Sequence, residues 1–383
     1  MFQHVKPTSI VVCLVFLFLG FGCSTAPDPG VNKGRVSPSL LKTDQPQVPS
    51  STEKRSEVDL SYNREGYLLM SRLKRTLDTG RGVEPEQADR LIELMPESSY
   101  GRFLAGTIYL RNGDIDNAKK QFIRSSELDP ANDHALSALG SIAVEAGDLT
   151  GADLYYSKAH EAAATPITAN RLALLRIRGG YLESAREILA KALADDPNDF
   201  MTRNNFAIAL DMMGTTSEGI NILAGDDIVE PQLLRTRALL QLKEGRPYRA
   251  AMDLKTGFAA EGSGGEWLLM GTADLQQGKL SAAEDKFRSA ISAQPSGFEG
   301  YINLGLTLRR QGRFTEAEMI YQEGLVKVSH PDLHLNLGVL YELYRGEPTL
   351  ALEQYKQYLE LGGPASDRVQ GWVEYLEGVV EGP

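Results

Sequence analysis

His330 and His334 stand four residues apart, the spacing that puts two imidazoles on one helical face and could hold a metal. His330, however, precedes Pro331 at a helix start, and no third ligand type recurs nearby, so the pair reads as a cap or solvated histidines and no metal is expected. Gly271 to Lys279 offers glycines and a Gly-Lys pair, but the glycines are seven apart and Leu280 stands where a phosphate loop needs a hydroxyl. Serines are frequent, yet no Gly-x-Ser-x-Gly elbow occurs. The acidic pairs Asp195-Asp196 and Asp226-Asp227 read as turns or solvated ends rather than acid/base machinery. No catalytic constellation emerges, so the chain is expected not to be an enzyme and to need no cofactor.

The chain has two cysteines, Cys13 and Cys23, which leaves neither a disulfide framework nor a cysteine-based zinc site. Cys13 lies in an almost wholly apolar run, Ile10 to Gly22, preceded by Lys6. Such a run spans roughly 20 Å as a helix, short of the ~30 Å hydrocarbon core, and suits the apolar region of a secretory signal over residues 1–22. Leu19-Gly20-Phe21-Gly22-Cys23 resembles a bacterial lipoprotein signal, although Gly20 stands where leucine is usual and Phe21 is bulky. The resemblance implies that Cys23 becomes the lipid-bearing N-terminus, and Ser24 after it implies the outer membrane, facing the periplasm. Ordinary cleavage or an uncleaved anchor are the alternatives. Residues 23–55 are rich in Ser, Thr, Pro, Gln, Asp and Lys and read as a disordered tether with a root-mean-square span of roughly 30 Å.

What must position any functional side chain is a repeat. In Gly300 to Pro331, Tyr301, Leu304, Gly305 and Leu308 share one helical face, and Gln311-Gly312-Arg313 breaks the pattern. Thr315 and Glu318 predict a capping box for a second helix, whose Ala317, Ile320, Tyr321, Gly324 and Val328 share a face. The same order of glycine, turn, small, aromatic, small and proline returns at Gly271, Gly278, Ala283, Phe287, Ala290 and Pro295, and at Gly106, Tyr109, Gly113, Ala118, Phe122 and Pro130. The spacing resembles the tetratricopeptide repeat, with a period of about 34 residues. Units start near Ser99, Asp133, Pro166, Phe200, Pro231, Gly264, Phe298 and Pro331. The resemblance implies an all-α, right-handed superhelix of about eight repeats over residues 99–364. A degenerate helical repeat or cap over 56–98 precedes it, and a capping helix over 365–383, with Trp372 as a lid, follows. The middle units, where Gly219 replaces a small alanine and Gly262-Ser263-Gly264-Gly265 intervenes, predict looser packing.

A net charge of −11 argues against nonspecific nucleic-acid binding. What remains is surface. In tetratricopeptide proteins the first helix of each unit lines a groove, and an asparagine at its sixth position holds the backbone of an extended ligand in several members. Here that position carries Asn205, Asn303 and Asn336, with Leu104, Ala138 and Arg171 as departures. An amide both donates and accepts, which suits a peptide bond; hydrogen bonding between helices is the alternative use. Arg235, Arg309 and Arg310, with Lys243 and Arg178, add positive charge to the groove or form a solvated face.

The reading is a noncatalytic scaffold for proteins or extended peptide segments, held at the membrane by its lipid. Pilot and assembly lipoproteins of pilus and secretin systems share this arrangement of lipobox, linker and repeats. An adaptor for peptidoglycan enzymes and an enzyme subunit are the alternatives.

Overall fold

The structure, a computed structural model, describes residues 64–225, 230–258 and 262–380. The signal, Cys23, the tether and Asp226-Asp227 lie outside the described residues. The described chain holds nineteen α-helices and no strand. It divides into two compact units, one ending at Ala209 and the other beginning at Leu210.

The first unit contains α1 (Arg64–Asp78), α2 (Pro85–Leu94), α3 (Ser99–Arg111), α4 (Ile115–Leu128), α5 (Asp133–Glu145), α6 (Leu149–Ala162), α7 (Pro166–Arg178), α8 (Leu182–Asp195) and most of α9 (Phe200–Met212). Side chains set the starts of most of these helices. Ser98, Asp114, Asn132 and Asp148 each accept a hydrogen bond from the backbone N–H three residues on, and Thr165 and Thr168 form a reciprocal capping box. The apolar residues of α1 are only partly covered: Leu73 and Leu77 are buried, whereas Tyr67 and Leu68 are exposed.

The second unit contains α10 (Thr216–Ile222), α11 (Pro231–Lys243), α12 (Pro247–Gly257), α13 (Gly264–Gln276), α14 (Leu280–Ala293), α15 (Phe298–Arg310), α16 (Phe314–Lys327), α17 (Pro331–Leu340), α18 (Pro348–Glu360) and α19 (Ser366–Val380). Proline at the first helical position opens α11, α12, α17 and α18, where a missing N–H costs nothing. α16 begins at Phe314 with Arg313 as N-cap and no side-chain cap, so the expected Thr315–Glu318 capping box does not form. The preceding turn decides this. Gly312 (φ +76°) ends α15 in a Schellman turn, with Arg313 N–H on Leu308 O (2.9 Å) and Gly312 N–H on Arg309 O (3.0 Å). The chain re-enters a helix at once, which leaves Thr315 inside the first turn. A left-handed glycine recurs at the corresponding turn of every pair from α3/α4 to α17/α18.

Seven of the helical pairs share a small-on-large contact. A Cβ added at Gly106 would lie 2.7 Å from the Phe122 ring, and one at Gly271 would lie 2.6 Å from Phe287. Gly140 meets Tyr156, Gly305 meets Tyr321 and Gly338 meets Tyr355 in the same way. Where the first helix carries alanine instead, at Ala173 and Ala238, the second carries the smaller Leu189 and Leu254, all fully buried. The pairs therefore conserve volume, as close-packed interiors require. Within each unit, second helices pack on first helices rather than on each other, while first helices also touch across the sequence: α5 meets α7, and α11, α13, α15 and α17 meet in turn. The first helices α11, α13, α15 and α17 thus form one continuous layer in the second unit. α19 closes the second unit with Val369, Val373 and Leu376 buried and Trp372 against Tyr355 at 5.4 Å, whereas Val379 is exposed.

The last pair departs from the others by one residue. The large residue follows its small partner by sixteen positions from Gly106/Phe122 to Gly305/Tyr321, but by seventeen at Gly338/Tyr355. The extra residue is absorbed in a π-helical turn, Tyr341–Arg345, which continues α17. Such single-turn bulges cluster at functional sites.

Candidate partner-binding face

The groove residues expected from the sequence lie on first helices of the two units, in five different environments. Asn205 is buried and donates from Nδ2 to Asn170 Oδ1 (2.8 Å), while Asn170 donates to Thr202 Oγ1 (2.9 Å). Thr202 N–H in turn bonds Asp199 (2.8 Å). This buried network ties α7 to α9 and uses the amide for structure. Asn170 sits one position away from the repeat register, so no spacing rule pairs it with Asn205.

Asn303 and Asn336 behave differently. Each donates from Nδ2 to the carbonyl four residues earlier in its own helix, Glu299 O (2.9 Å) and Asp332 O (2.8 Å). Among the described residues neither amide oxygen has a hydrogen-bond partner. The self-bonded N–H holds the side chain along the helix and leaves Oδ1 and one N–H without a protein partner, although Asn303 is only 5% exposed and Asn336 is half-buried. The two sit at equivalent positions of α15 and α17, which are in contact.

The cations also separate. Arg235 pairs with Glu266 at 3.1 Å. Burial raises the pKa of Glu266, but hydrogen bonds from Ser263 and the Arg235 charge outweigh it, so the carboxyl titrates below its usual range. Lys243 is held by Asp211 at 2.7 Å. Arg310 is exposed, with no ion pair among the described residues. Arg171 is half-buried, and burial lowers its pKa. Arg309 is not on the surface at all: it is 4% exposed. Five other units place Leu110, Val144, Ile177, Leu242 and Leu275 at this register, against Asp211 and Glu342 in two, and that apolar majority is the sequence signal that an arginine here would be buried.

The two histidines have packing roles. His330 stacks on Phe298 (centroids 3.5 Å apart, 7° between planes) and accepts from Asp332 N–H at the start of α17. His334 Nδ1 shares a hydrogen bond with Gln354 at 2.8 Å. Gly271 lies under Phe287, and Gly278 (φ +75°) makes a turn.

Comparison with known proteins gives the fold a family context. The tetratricopeptide repeat model matches residues 103–166 and 268–334. A tetratricopeptide repeat protein from Parabacteroides merdae ATCC 43184 superposes with a TM-score of 0.53 at 17% identity, covering 64% of this chain and 98% of that one. The Cut9–Hcn1 hetero-tetramer of the APC/C gives a TM-score of 0.51 at 16% identity, over 84% of this chain and 63% of the other. The human IFIT1 dimer with PPP-AAAA gives a TM-score of 0.52 at 14% identity, over 83% and 86%. No curated protein matches the chain. At these identities the likeness is one of fold. Residues 103–166 and 268–334 match the tetratricopeptide repeat, and the all-α architecture around them shares the fold of these tetratricopeptide-repeat structures.

Proposed function

We propose that this protein is a noncatalytic scaffold that holds extended polypeptide segments of its partners along the first-helix layer. It works tethered by lipid on Cys23 and faces the periplasm from a bacterial outer membrane, where it assists assembly of a pilus or secretion complex. The observation that carries the binding part is the layer α15–α17, where two equivalent asparagines have amide oxygens without a protein partner and Arg310 is exposed and unpaired. A polypeptide backbone supplies the N–H groups that these oxygens lack.

The test uses peptides selected from a random linear dodecapeptide library on the full chain. Asn303→Ala with Asn336→Ala is expected to weaken the selected peptides about tenfold or more, since a hydrogen bond whose loss strands its partner costs about 1–3 kcal/mol. Melting of the double variant, followed by circular dichroism, should stay within a few degrees of wild type, because each amide bonds only its own helix. Undiminished affinity in a well-folded variant would remove these asparagines from the mechanism.

The anchorage part rests on the lipobox at Cys23. Cys23→Ala is expected to abolish incorporation of labelled palmitate and to release the protein from membranes. Wild-type protein that sediments with membranes yet carries no label would defeat the lipoprotein reading. Recovery of secretin subunits rather than cell-wall hydrolases after crosslinking supports the pilus or secretion assignment.

A further inference from the structure

The π-helical turn after α17 faces the one cation in this layer that is both buried and unmatched. Arg309 Nε and Nη1 are buried and have no hydrogen-bond partner, and the side chain enters no ion pair among the described residues. Its guanidinium lies 4.9 Å from the centroid of Tyr344, a ring carried by the π-helical turn and itself 39% exposed. The buried Tyr321 hydroxyl faces this guanidinium and is the neutral polar group closest to pairing with it, although the geometry falls short of a full hydrogen bond. Nearby carboxylates are already engaged. Glu342 accepts from Tyr355 (2.7 Å), and Glu318 accepts from Tyr341 (2.8 Å) and Arg345 (3.0 Å). Glu347 also faces Arg345, at 3.2 Å.

A buried guanidinium without a counter-charge is unfavourable, and an aromatic face offsets only part of that cost. The π-helical turn that absorbs the inserted residue of the last pair carries the Tyr344 ring that lies over this cation. We propose that Arg309 anchors a carboxylate-binding site, closed in the free protein by the Tyr344 ring, and that its occupant is an aspartate or glutamate side chain of the segment held on the first-helix layer. This rests on the peptide-binding reading above and names its chemistry. A single carboxylate matches one planar guanidinium. Arg310, exposed next to it, favours approach of the acidic residue.

The same dodecapeptide selection on the full chain reads this out. Selected peptides are expected to share an Asp or Glu, and changing that residue to Asn or Gln should weaken binding to wild type at least about tenfold while leaving binding to Arg309→Met unchanged. Arg309→Met should melt at or above the wild-type temperature, because it removes an unmatched buried charge. Tyr344→Ala should accelerate association of the acidic peptide, and only of that peptide, by removing the cover. Peptides that bind equally well with Gln in place of Glu would overturn the carboxylate site while leaving the peptide-binding face standing. Failure to select any peptide overturns both. An Arg309→Met variant that melts several degrees lower but keeps the acid preference would make Arg309 a structural cation. The exchange on the peptide side needs no protein variant and decides the matter even if one fails to fold.

Discussion

Gly305→Leu is expected to lower the stability of the second unit by about 3 kcal/mol, the upper end of what overpacking a filled core costs. A side chain at Gly305 would begin inside the Tyr321 ring, and that ring cannot retreat. Tyr321 is fully buried, with Tyr301, Leu304 and Leu308 buried in the same core. The leucine must therefore push α15 and α16 apart along the contact that defines the pair. Arg310→Ala, one helical turn further along and exposed, should change stability by no more than about 0.5 kcal/mol. Urea unfolding followed by circular dichroism checks both, with midpoints rather than extrapolated free energies compared, since repeat arrays need not unfold in one step. A Gly305→Leu midpoint equal to wild type would mean that the pair tolerates separation.

Asp253→Ala is expected to cost about 3–5 kcal/mol, the typical penalty for stranding one half of a buried ion pair. Arg237 engages Asp253 with two parallel hydrogen bonds, Nε to Oδ2 (2.8 Å) and Nη2 to Oδ1 (2.7 Å), and its Nη1 reaches Leu223 O (2.9 Å) at the end of α10. Both side chains are largely covered, at 16% and 11% exposure. α10 has seven residues, half the length of α14 or α16, so its own apolar face holds it weakly. The arginine fastens the short helix to α11 and α12. The paired replacement Arg237→Met with Asp253→Leu should recover most of the loss in urea, because it leaves no charge stranded. Equal losses in the single and paired variants would show that the contact to Leu223 matters more than the ion pair.

The repeat was legible because its signals are local and redundant. A small residue, a turn glycine and a large residue recur at fixed separations, and each reports a steric necessity that side-chain chemistry cannot mimic. Features that depend on a partner elsewhere were not legible in this way. The Thr315–Glu318 box matched the rule for a helix start, yet the Schellman turn at Gly312 had already fixed where α16 begins. Asn205 and Asn303 share a register but differ in use, because only Asn205 has Asn170 opposite it. Arg309 reads as a surface cation by residue type. Its burial follows from register, and the ring above it follows from an insertion visible only when the spacing of the last pair is compared with the rest.

The layered contacts also bear on how quickly each unit assembles. Nearly every tertiary contact joins a helix to the next one or two along the chain, so little loop entropy must be lost before a contact forms. Low contact order of this kind is associated with folding in microseconds to milliseconds. Growth from any formed pair adds one helix at a time. Under this scheme a terminal element such as α19, which has a neighbour on one side only, opens and closes many times for each global unfolding event, and its amide protons exchange with solvent well before those of α15.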